Sequence, residues 1–223
     1  MNFVKGEIAN IDTDRLKRRG FSEVIFGKNK TWQEIKQIMD VLLVEKQPVL
    51  VTQLSPEKFN KLAKFNSKLT YFENSKILIA GEKNPGLSKG KVCVICGGTS
   101  DLPIAWETID VLNWMGVNNF HFFDIGVAGL QRLLFYKDRI ASADIIIAIA
   151  GMEGSLATVV SGLVNSPVIA VPTSVGYGAN LHGITTLLSM ITSCSSGITV
   201  TNIDNGFGAA FQAGLFIKKI NQY

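Results

Sequence analysis

The sequence predicts an α/β protein, with a small N-terminal α+β domain over residues 1–85 and a three-layer α/β/α domain with a parallel sheet over residues 86–223. Three observations carry this expectation. From Val92 onward, apolar runs of strand length alternate with helical stretches, the pattern of a parallel sheet covered on both faces. The run IIIAIA, residues 145–150, is apolar at every position and stops at glycines that open a helix, GMEGSLATVVSGLV. Between the halves lies GEKNPGLSKGK, residues 81–91, whose glycines, lysines and proline read as a linker.

Before that linker the chain carries most of its lysines and arginines and few glycines. IDTDRLKRRG predicts a short polar helix ending at Gly20, followed by a strand at 23–26. In TWQEIKQIMDVLLVE the residues Ile35, Ile38, Met39, Leu42 and Leu43 recur at helical spacing behind Thr31, a helix-capping type. Residues 48–52 predict a strand. SPEKFNKLAKF opens with Ser-Pro, a helix-starting pair, and LTYFENSKILIAGE reads as one or two strands.

After the linker, strands are expected at 92–96, 120–124, 145–150, 168–171 and 198–200. Helices are expected at 102–115, 127–135, 155–164 and 181–191, with a last one from 205 to 217. Crossovers between parallel strands should be right-handed.

Composition narrows the function. The chain has 223 residues, 47% hydrophobic and 18% charged, enough for a sizeable core without disulfides or metals. A net charge of +4 is too mild to point to nucleic acid. Three cysteines, Cys93, Cys96 and Cys194, fit a reducing compartment rather than a disulfide scaffold. No apolar run reaches the ~20 residues needed to span a bilayer, and the first twenty residues lack the apolar core of a secretory signal. A cytoplasmic protein without membrane or nucleic-acid partners is expected.

Chemistry is expected at the C-terminal edge of the sheet, where ligands of open α/β sheets gather. Four strands end in small, polar turns: GGTSD (97–101), GMEGS (151–155), PTSVGYGAN (172–180) and TNIDNGFGA (201–209). Glycine admits close backbone approach, and hydroxyls and N–H groups can cradle an anion. The candidate binding residues are Gly98, Thr99, Ser100, Asp101, Gly151, Met152, Gly154, Ser155, Thr173, Ser174, Gly176, Tyr177, Gly178, Asn205 and Gly206, with Asp124 and Gly126 from the DIGVAG turn. Asp101 is open to two readings, site residue or helix cap. GGTSD is neither a Walker loop nor GxGxxG. Cys93 and Cys96, three apart on a strand, face opposite sides and neither pair nor share a metal. His121 reads as structural, and His182 as a residue within reach of the site. Glu153 is the first candidate for acid–base work. Cys194, within ITSCSSG, is open as a nucleophile or a bystander on context alone.

The segments GTSDLPIAWET, DIGVAGLQRLL, IAGMEGSLATVVSGL, PVIAVPTSVGYGA, SCSSG and NIDNGFGAA resemble, in order, signatures of the LarB family. That family makes an early intermediate of the nickel-pincer nucleotide cofactor. RLKRRGFSEVIFGKNKT resembles its N-terminal domain, so the likeness covers nearly the whole chain. The C-terminal domain is similar to PurE, the aminoimidazole ribonucleotide (AIR) carboxylase and mutase family, which implies a flavodoxin-like fold.

The resemblance implies that nicotinic acid adenine dinucleotide and CO2 or bicarbonate are the substrates. The pyridinium ring is carboxylated at C5 and the phosphoanhydride hydrolysed, giving AMP and pyridinium-3,5-biscarboxylic acid mononucleotide. It places the nucleophile at Cys194 and the proton-transfer group at Glu153, both expected at the C-terminal edge of the sheet. Where PurE carries a histidine, this chain has Ser155, and where many LarB relatives carry histidine it has Gln131. Arg132, together with Arg19 in the N-terminal set Arg15, Arg18, Arg19 and Lys30 around Glu23, is a candidate for phosphate. No tightly bound cofactor is implied. Mg2+ would assist hydrolysis, but no spacing among Asp101, Asp124 and Asp204 assigns a metal site. A homo-oligomer, an octamer by the resemblance, is expected, with the apolar GAAFQAGLFIKKI suited to subunit contact. The alternatives are an AIR carboxylase or N5-carboxyaminoimidazole ribonucleotide mutase, and a nucleotide-binding regulator without turnover.

Overall fold

The computed structural model describes residues 4–5, 10–82 and 84–222. The chain divides into two compact units, Met1–Pro85 and Gly86–Tyr223.

In the first unit a short antiparallel pair, β1 (Val4–Lys5) and β2 (Asn10–Ile11), precedes helix α1 (Arg15–Arg19). Gly20 ends α1 in the left-handed region (φ 77°), its N–H returning to the Leu16 carbonyl. Then follow β3 (Val24–Phe26), α2 (Trp32–Val44), β4 (Val49–Thr52), α3 (Pro56–Leu62), β5 (Thr70–Phe72) and β6 (Ile77–Ala80). The sheet order is β3-β4-β6-β5, with only β3 and β4 parallel. The spacing of α2 puts Ile35, Ile38, Met39 and Leu42 on one face, and they pack with Val49, Val51 and Leu54 of the core. Its start is fixed by a capping box: the Glu34 N–H donates to the Thr31 hydroxyl, and the Thr31 N–H to the Glu34 carboxylate. Ser55 caps α3 by accepting the Lys58 N–H, ahead of Pro56.

The second unit holds β7 (Lys91–Cys96), α4 (Leu102–Trp114), β8 (Asn118–Phe122), α5 (Leu130–Ala141), β9 (Ile145–Ala150), α6 (Ser155–Ser161), β10 (Val168–Pro172), α7 (Ile184–Ile191), β11 (Ile198–Val200) and α8 (Gly206–Ile220). All five strands are parallel, in the order β11-β10-β9-β7-β8. Helices α4 and α8 pack together on one face, while residues of α5 and α6 share a buried cluster with Cys93, Ile95, Ile146, Ala148, Val168 and Ala170 on the other. Counted from β7 as first, the strands run 2-1-3-4-5, the flavodoxin-like order. Between β7 and β9 the order reverses, and the crevice that ligands use opens there.

Several boundaries differ from expectation. Part of the expected linker belongs to the second unit: the Leu87 N–H bonds to the Gly116 carbonyl, and Lys89 and Asn221 exchange two hydrogen bonds. β8 ends two residues early because Asp124 turns the chain through a left-handed conformation (φ 55°) and Ile125 bonds to Cys96 instead. α5 runs on to Ala141, and α6 stops at Ser161, before Gly162. Leu181 and His182 are left-handed (φ 50° and 55°), so α7 starts at Ile184 rather than 181.

Within GAAFQAGLFIKKI, α8 buries Ala209, Ala210, Phe211, Ala213 and Ile217 in the unit and leaves Phe216 and Ile220 exposed. α7 also turns apolar residues outward: Ile184, Leu188 and Ile191 are 48%, 56% and 59% exposed, while Thr186 and Met190 are buried.

The capping box yields a prediction with a sign. Hydrogen bonds from the Thr31 backbone and hydroxyl hold the Glu34 carboxyl below its ordinary pKa. A carboxyl lowered in the fold contributes stability that is present above its ordinary pKa and is lost as pH falls through the lowered value. The stability gap between wild type and Glu34→Ala should therefore be constant near neutral pH and shrink on acidification, measured by urea denaturation.

Candidate functional site

A cavity of about 290 Å³ opens at the C-terminal edge, between the turns after β7 and β9. Its lining draws on three turns: Gly97, Gly98, Ser100 and Asp101 after β7, Gly126 to Ala128 after β8, and Gly151 to Glu153 with Ser155 after β9. Ala150, Leu156 and Val175 complete it. The turns can meet because side chains are missing where they touch. A Cβ on Gly126 would lie 2.6 Å from the Gly97 carbonyl oxygen, and one on Gly151 would strike the Val175 carbonyl and the Thr173 hydroxyl.

Asp101 is buried, and its carboxylate is used elsewhere than on α4. Its side chain makes no capping bond to that helix. One carboxylate oxygen accepts from the Gly98 N–H (3.0 Å), the other from the Thr173 hydroxyl (2.7 Å). It thus ties the β7 turn to the end of β10. Burial pushes its pKa up, the Thr173 and Gly98 donors oppose that, and the nearby Asp204 carboxylate adds to it. Asp204 in turn accepts from the Ser174 N–H at 2.8 Å.

The turn after β9 has its own scaffold. Met152 is left-handed (φ 52°), its N–H bonded to the Val175 carbonyl at 2.9 Å. The Met152 carbonyl accepts from the Asn180 side-chain amide (2.9 Å) and from the Thr186 hydroxyl. Gly154 starts α6 without a side-chain cap. Glu153 is exposed at the cavity rim, and its carboxylate accepts the Ser155 hydroxyl at 2.5 Å. A carboxylate here, with a hydroxyl holding it and open access to the cavity, is placed to move a proton.

Of the expected site residues, Gly98, Ser100, Asp101, Gly126, Gly151, Met152, Glu153 and Ser155 line this cavity. Thr99 lies within the 3-10 turn beside it, and Thr173, Ser174 and Gly154 support its walls. Gly176 packs on Asn180, while Tyr177 and Gly178 stand exposed on the following loop. Asn205 and Gly206 do not reach it. Asn205 caps α8 by accepting the Gly208 N–H, and Gly206 lies against the Ile104 carbonyl and Thr108 of α4.

Arg132 and Asp124 pair with each other at 2.5 Å, both about half exposed, beside a neighbouring cavity of about 440 Å³. Arg132 thus has a carboxylate partner already. In the first unit, Arg18 is held by Asp12 (2.7 Å) and Asp14 (3.5 Å), Lys30 donates to the Phe26 carbonyl, and Glu23 accepts the Asp12 N–H. Arg19 lies in α1 of that unit. His121 stacks on Phe123 and meets the edge of Trp106, and His182 is exposed. Among the described residues no three His, Cys, Asp or Glu side chains come together as a metal site, and no helix is long and apolar enough to cross a membrane.

The cysteines separate sharply. Cys93 and Cys96 are fully buried, and burial pushes their thiols up to about 12 and about 11. Cys194 is exposed. Its place corrects the sequence expectation: it precedes β11 and so lies toward the N-terminal edge, away from Glu153 in the same chain. Its neighbours show this. Ser193 bonds to Thr158 and Ser196 to Ser161, one and two turns along α6 from the Glu153 turn, and the Gly197 carbonyl accepts the N–H of Val168 at the start of β10. A turn that leads into a strand lies at the edge opposite to the turns that leave β7 and β9.

The residues that sequence reading passed over are Asn180, Thr186, Val127, Ala128, Leu156 and Val175. Thr186 carried a usable signal, since it is a polar position on the side of α7 opposite an Ile-Leu-Ile stripe.

Comparison with known proteins agrees with this domain pattern. The model of the LarB/PurE-like N-terminal domain matches residues 3–82, and that of AIR carboxylase matches residues 91–222. The chain belongs to the LarB family. As in that family, a PurE-like domain forms its C-terminal part, and a carboxylase-type enzyme is the class these matches support. An uncharacterized protein of Methanocaldococcus jannaschii is 42% identical over 221 residues, 95% of this chain and 85% of that protein. The N5-carboxyaminoimidazole ribonucleotide mutase of the same organism is 38% identical over 127 residues, 55% of this chain and 75% of that protein. A crystal structure of a Treponema denticola PurE2 variant aligns at 16% identity and TM-score 0.45, covering 59% of this LarB-family chain and 91% of that one.

The buried Asp101 gives this domain a pH signature opposite in sign to that of Glu34. A carboxyl raised in the fold contributes stability that is full below its ordinary pKa and is lost as pH rises through the raised value. Relative to Asp101→Asn, wild type should gain stability as pH is lowered from 7 to 4, measured as urea midpoints across that range.

Proposed function

We propose that this LarB-family protein carboxylates C5 of the pyridinium ring of nicotinic acid adenine dinucleotide, with CO2 or bicarbonate, and hydrolyses the phosphoanhydride. The products are pyridinium-3,5-biscarboxylic acid mononucleotide and AMP. The observation that carries the reading is the division of the cysteines, two sealed with raised thiol pKa values and Cys194 open. Covalent catalysis on an electron-poor ring needs an accessible thiol.

The chemistry follows from the ring. A pyridinium C5 does not attack CO2. The Cys194 thiolate adds at C6, and the ring electrons move to the nitrogen, leaving a neutral dienamine with a nucleophilic C5. C5 bonds to the carbon of CO2, and the nitrogen becomes cationic again. Glu153 takes the C5 proton, the C–S bond breaks, and the thiolate leaves with aromaticity restored. Ser155 holds the Glu153 carboxylate at the rim. Asp101, through Gly98 and Thr173, fixes the turn that would meet the ribose phosphate. No step uses a metal, and the adenylate half is left for phosphate-directed groups such as Arg132, which would exchange Asp124 for the ligand.

The separation of Cys194 from Glu153 within one chain makes this a shared site: the thiol of one copy serves the cavity of another. The outward Ile-Leu-Ile face of α7, which ends just before Cys194, supports a homo-oligomer, since such a stripe is of the kind buried between subunits. An octamer follows from the family resemblance.

A second reading has one specific observation behind it, the 38% identity to an N5-carboxyaminoimidazole ribonucleotide mutase. It places an aminoimidazole ribonucleotide in the same cavity and asks nothing of Cys194. Against it stands Ser155 where the resemblance expects that family's histidine. A regulator without turnover likewise has no need of Cys194.

Cys194→Ala and Glu153→Gln each should abolish dicarboxylate formation. Co-expressed, they should regain about a quarter of wild-type activity, the share of shared sites that draws an intact group from each copy. Retained synthesis by Cys194→Ala would contradict the reaction, and a silent mixture would contradict the shared site.

A further inference from the structure

Two buried side chains that touch neither cavity hold the turn bearing Glu153. Asn180 lies between β10 and α7, and Thr186 in the first turn of α7. The Asn180 amide uses both protons, one on the Met152 carbonyl (2.9 Å) and one on the Thr186 hydroxyl oxygen (2.8 Å). Its oxygen accepts the Gly183 N–H at 2.6 Å. The Thr186 hydroxyl gives its own proton to the same Met152 carbonyl. The three groups form a closed set in which every donor is used, the condition under which a buried polar network is stable.

The set acts on one peptide. Methionine disfavours the left-handed region that Met152 occupies, and such a residue persists only where its surroundings over-determine it. Here the Val175 carbonyl takes the Met152 N–H, and Asn180 and Thr186 take its carbonyl. Gly154, two residues on, leaves the space that the Thr186 methyl fills; a Cβ there would lie 2.9 Å from it. The peptide so fixed directly precedes Glu153.

We propose that Asn180 and Thr186 are positioning residues that hold the Met152 peptide left-handed and so present the Glu153 carboxylate to the cavity. The link to turnover rests on the reaction proposed above; the link to the turn does not. The variants are Thr186→Val, which keeps shape and removes the hydroxyl, Asn180→Asp, which keeps the acceptor for Gly183 and removes both donors, and Thr186→Ser, which keeps the hydroxyl. Two quantities are read on the full-length protein: amide hydrogen exchange of the peptide spanning 151–155, and kcat and KM with nicotinic acid adenine dinucleotide.

Thr186→Val and Asn180→Asp should raise exchange in that peptide by about tenfold or more while exchange in α4 and α8 stays at the wild-type rate. They should lower kcat by about tenfold or more with KM within about threefold of wild type. Thr186→Ser should match wild type in both. Unchanged exchange at 151–155 in both disruptive variants would overturn the proposal, as would equal losses in Thr186→Ser or a rise in KM alone. If wild type does not turn over the dinucleotide, the exchange result still decides the hold on the turn, and the failure falls on the reaction alone.

Discussion

A parallel sheet whose strand order reverses cannot have its central turns covered by its own crossovers. From β7 the chain passes to β8 on one side and later returns to β9 on the other, so the helices leave in opposite directions and the strand ends between them stay open. This constraint sets where the cavity is, and local chemistry sets what it is. Gly126 lies against the Gly97 carbonyl and Gly151 against Val175 and Thr173, and no side chain would fit at either glycine. Asp101 then crosses the gap to Thr173 and joins the two halves of the crevice through one carboxylate. Burying it carries a desolvation cost, visible as its raised pKa, and the two donors reduce that cost. A neutral residue could have filled the space; a carboxylate fixes both turns at once.

The distribution of thiols follows from the same sheet. On β7 the side chains alternate between the two covered faces, so Cys93 and Cys96 are both buried, with raised thiol pKa values, and are poor nucleophiles. Cys194 escapes because it lies outside the sheet, in the turn between α7 and β11. That position gives it access and also distance from Glu153. In a single chain the two groups sit at opposite ends of α6. In the reaction proposed above, a neighbouring copy would supply what one chain separates. Thr186 joins both matters, since it faces inward to hold the Glu153 turn while its helix faces outward to its surroundings.

Much of this was legible in the sequence because strong local signals agreed with the tertiary context. The uninterrupted IIIAIA run, short and closed by glycines, reads as a strand buried on both faces, and the Thr31-Glu34 pair ahead of a helical pattern reads as a helix start. The turns after β7 and β9 were readable as a site because each pairs glycines with polar residues at a strand end. Less legible was anything that depends on which end of a strand a turn occupies. SCSSG stands between an expected helix and an expected strand, yet the roles that the family resemblance implies place Cys194 with Glu153. Asn205 and Gly206 looked like site glycine-turn chemistry and serve a helix cap and a close helix contact. The left-handed Leu181 and His182 break a stretch whose periodicity is helical throughout. Thr186 stood out only as a polar position opposite an apolar stripe; its partner, the Met152 carbonyl of another turn, is seen only in the fold.

The most direct test follows carbon. The purified protein is incubated with nicotinic acid adenine dinucleotide and 13C-labelled bicarbonate, and the products are resolved by mass spectrometry and 13C NMR. The account predicts a pyridinium mononucleotide carrying one labelled carboxyl at C5, released in equal amount with AMP. Hydrolysis to two mononucleotides without label in the ring, or no reaction with the dinucleotide while an aminoimidazole ribonucleotide is converted, would contradict it.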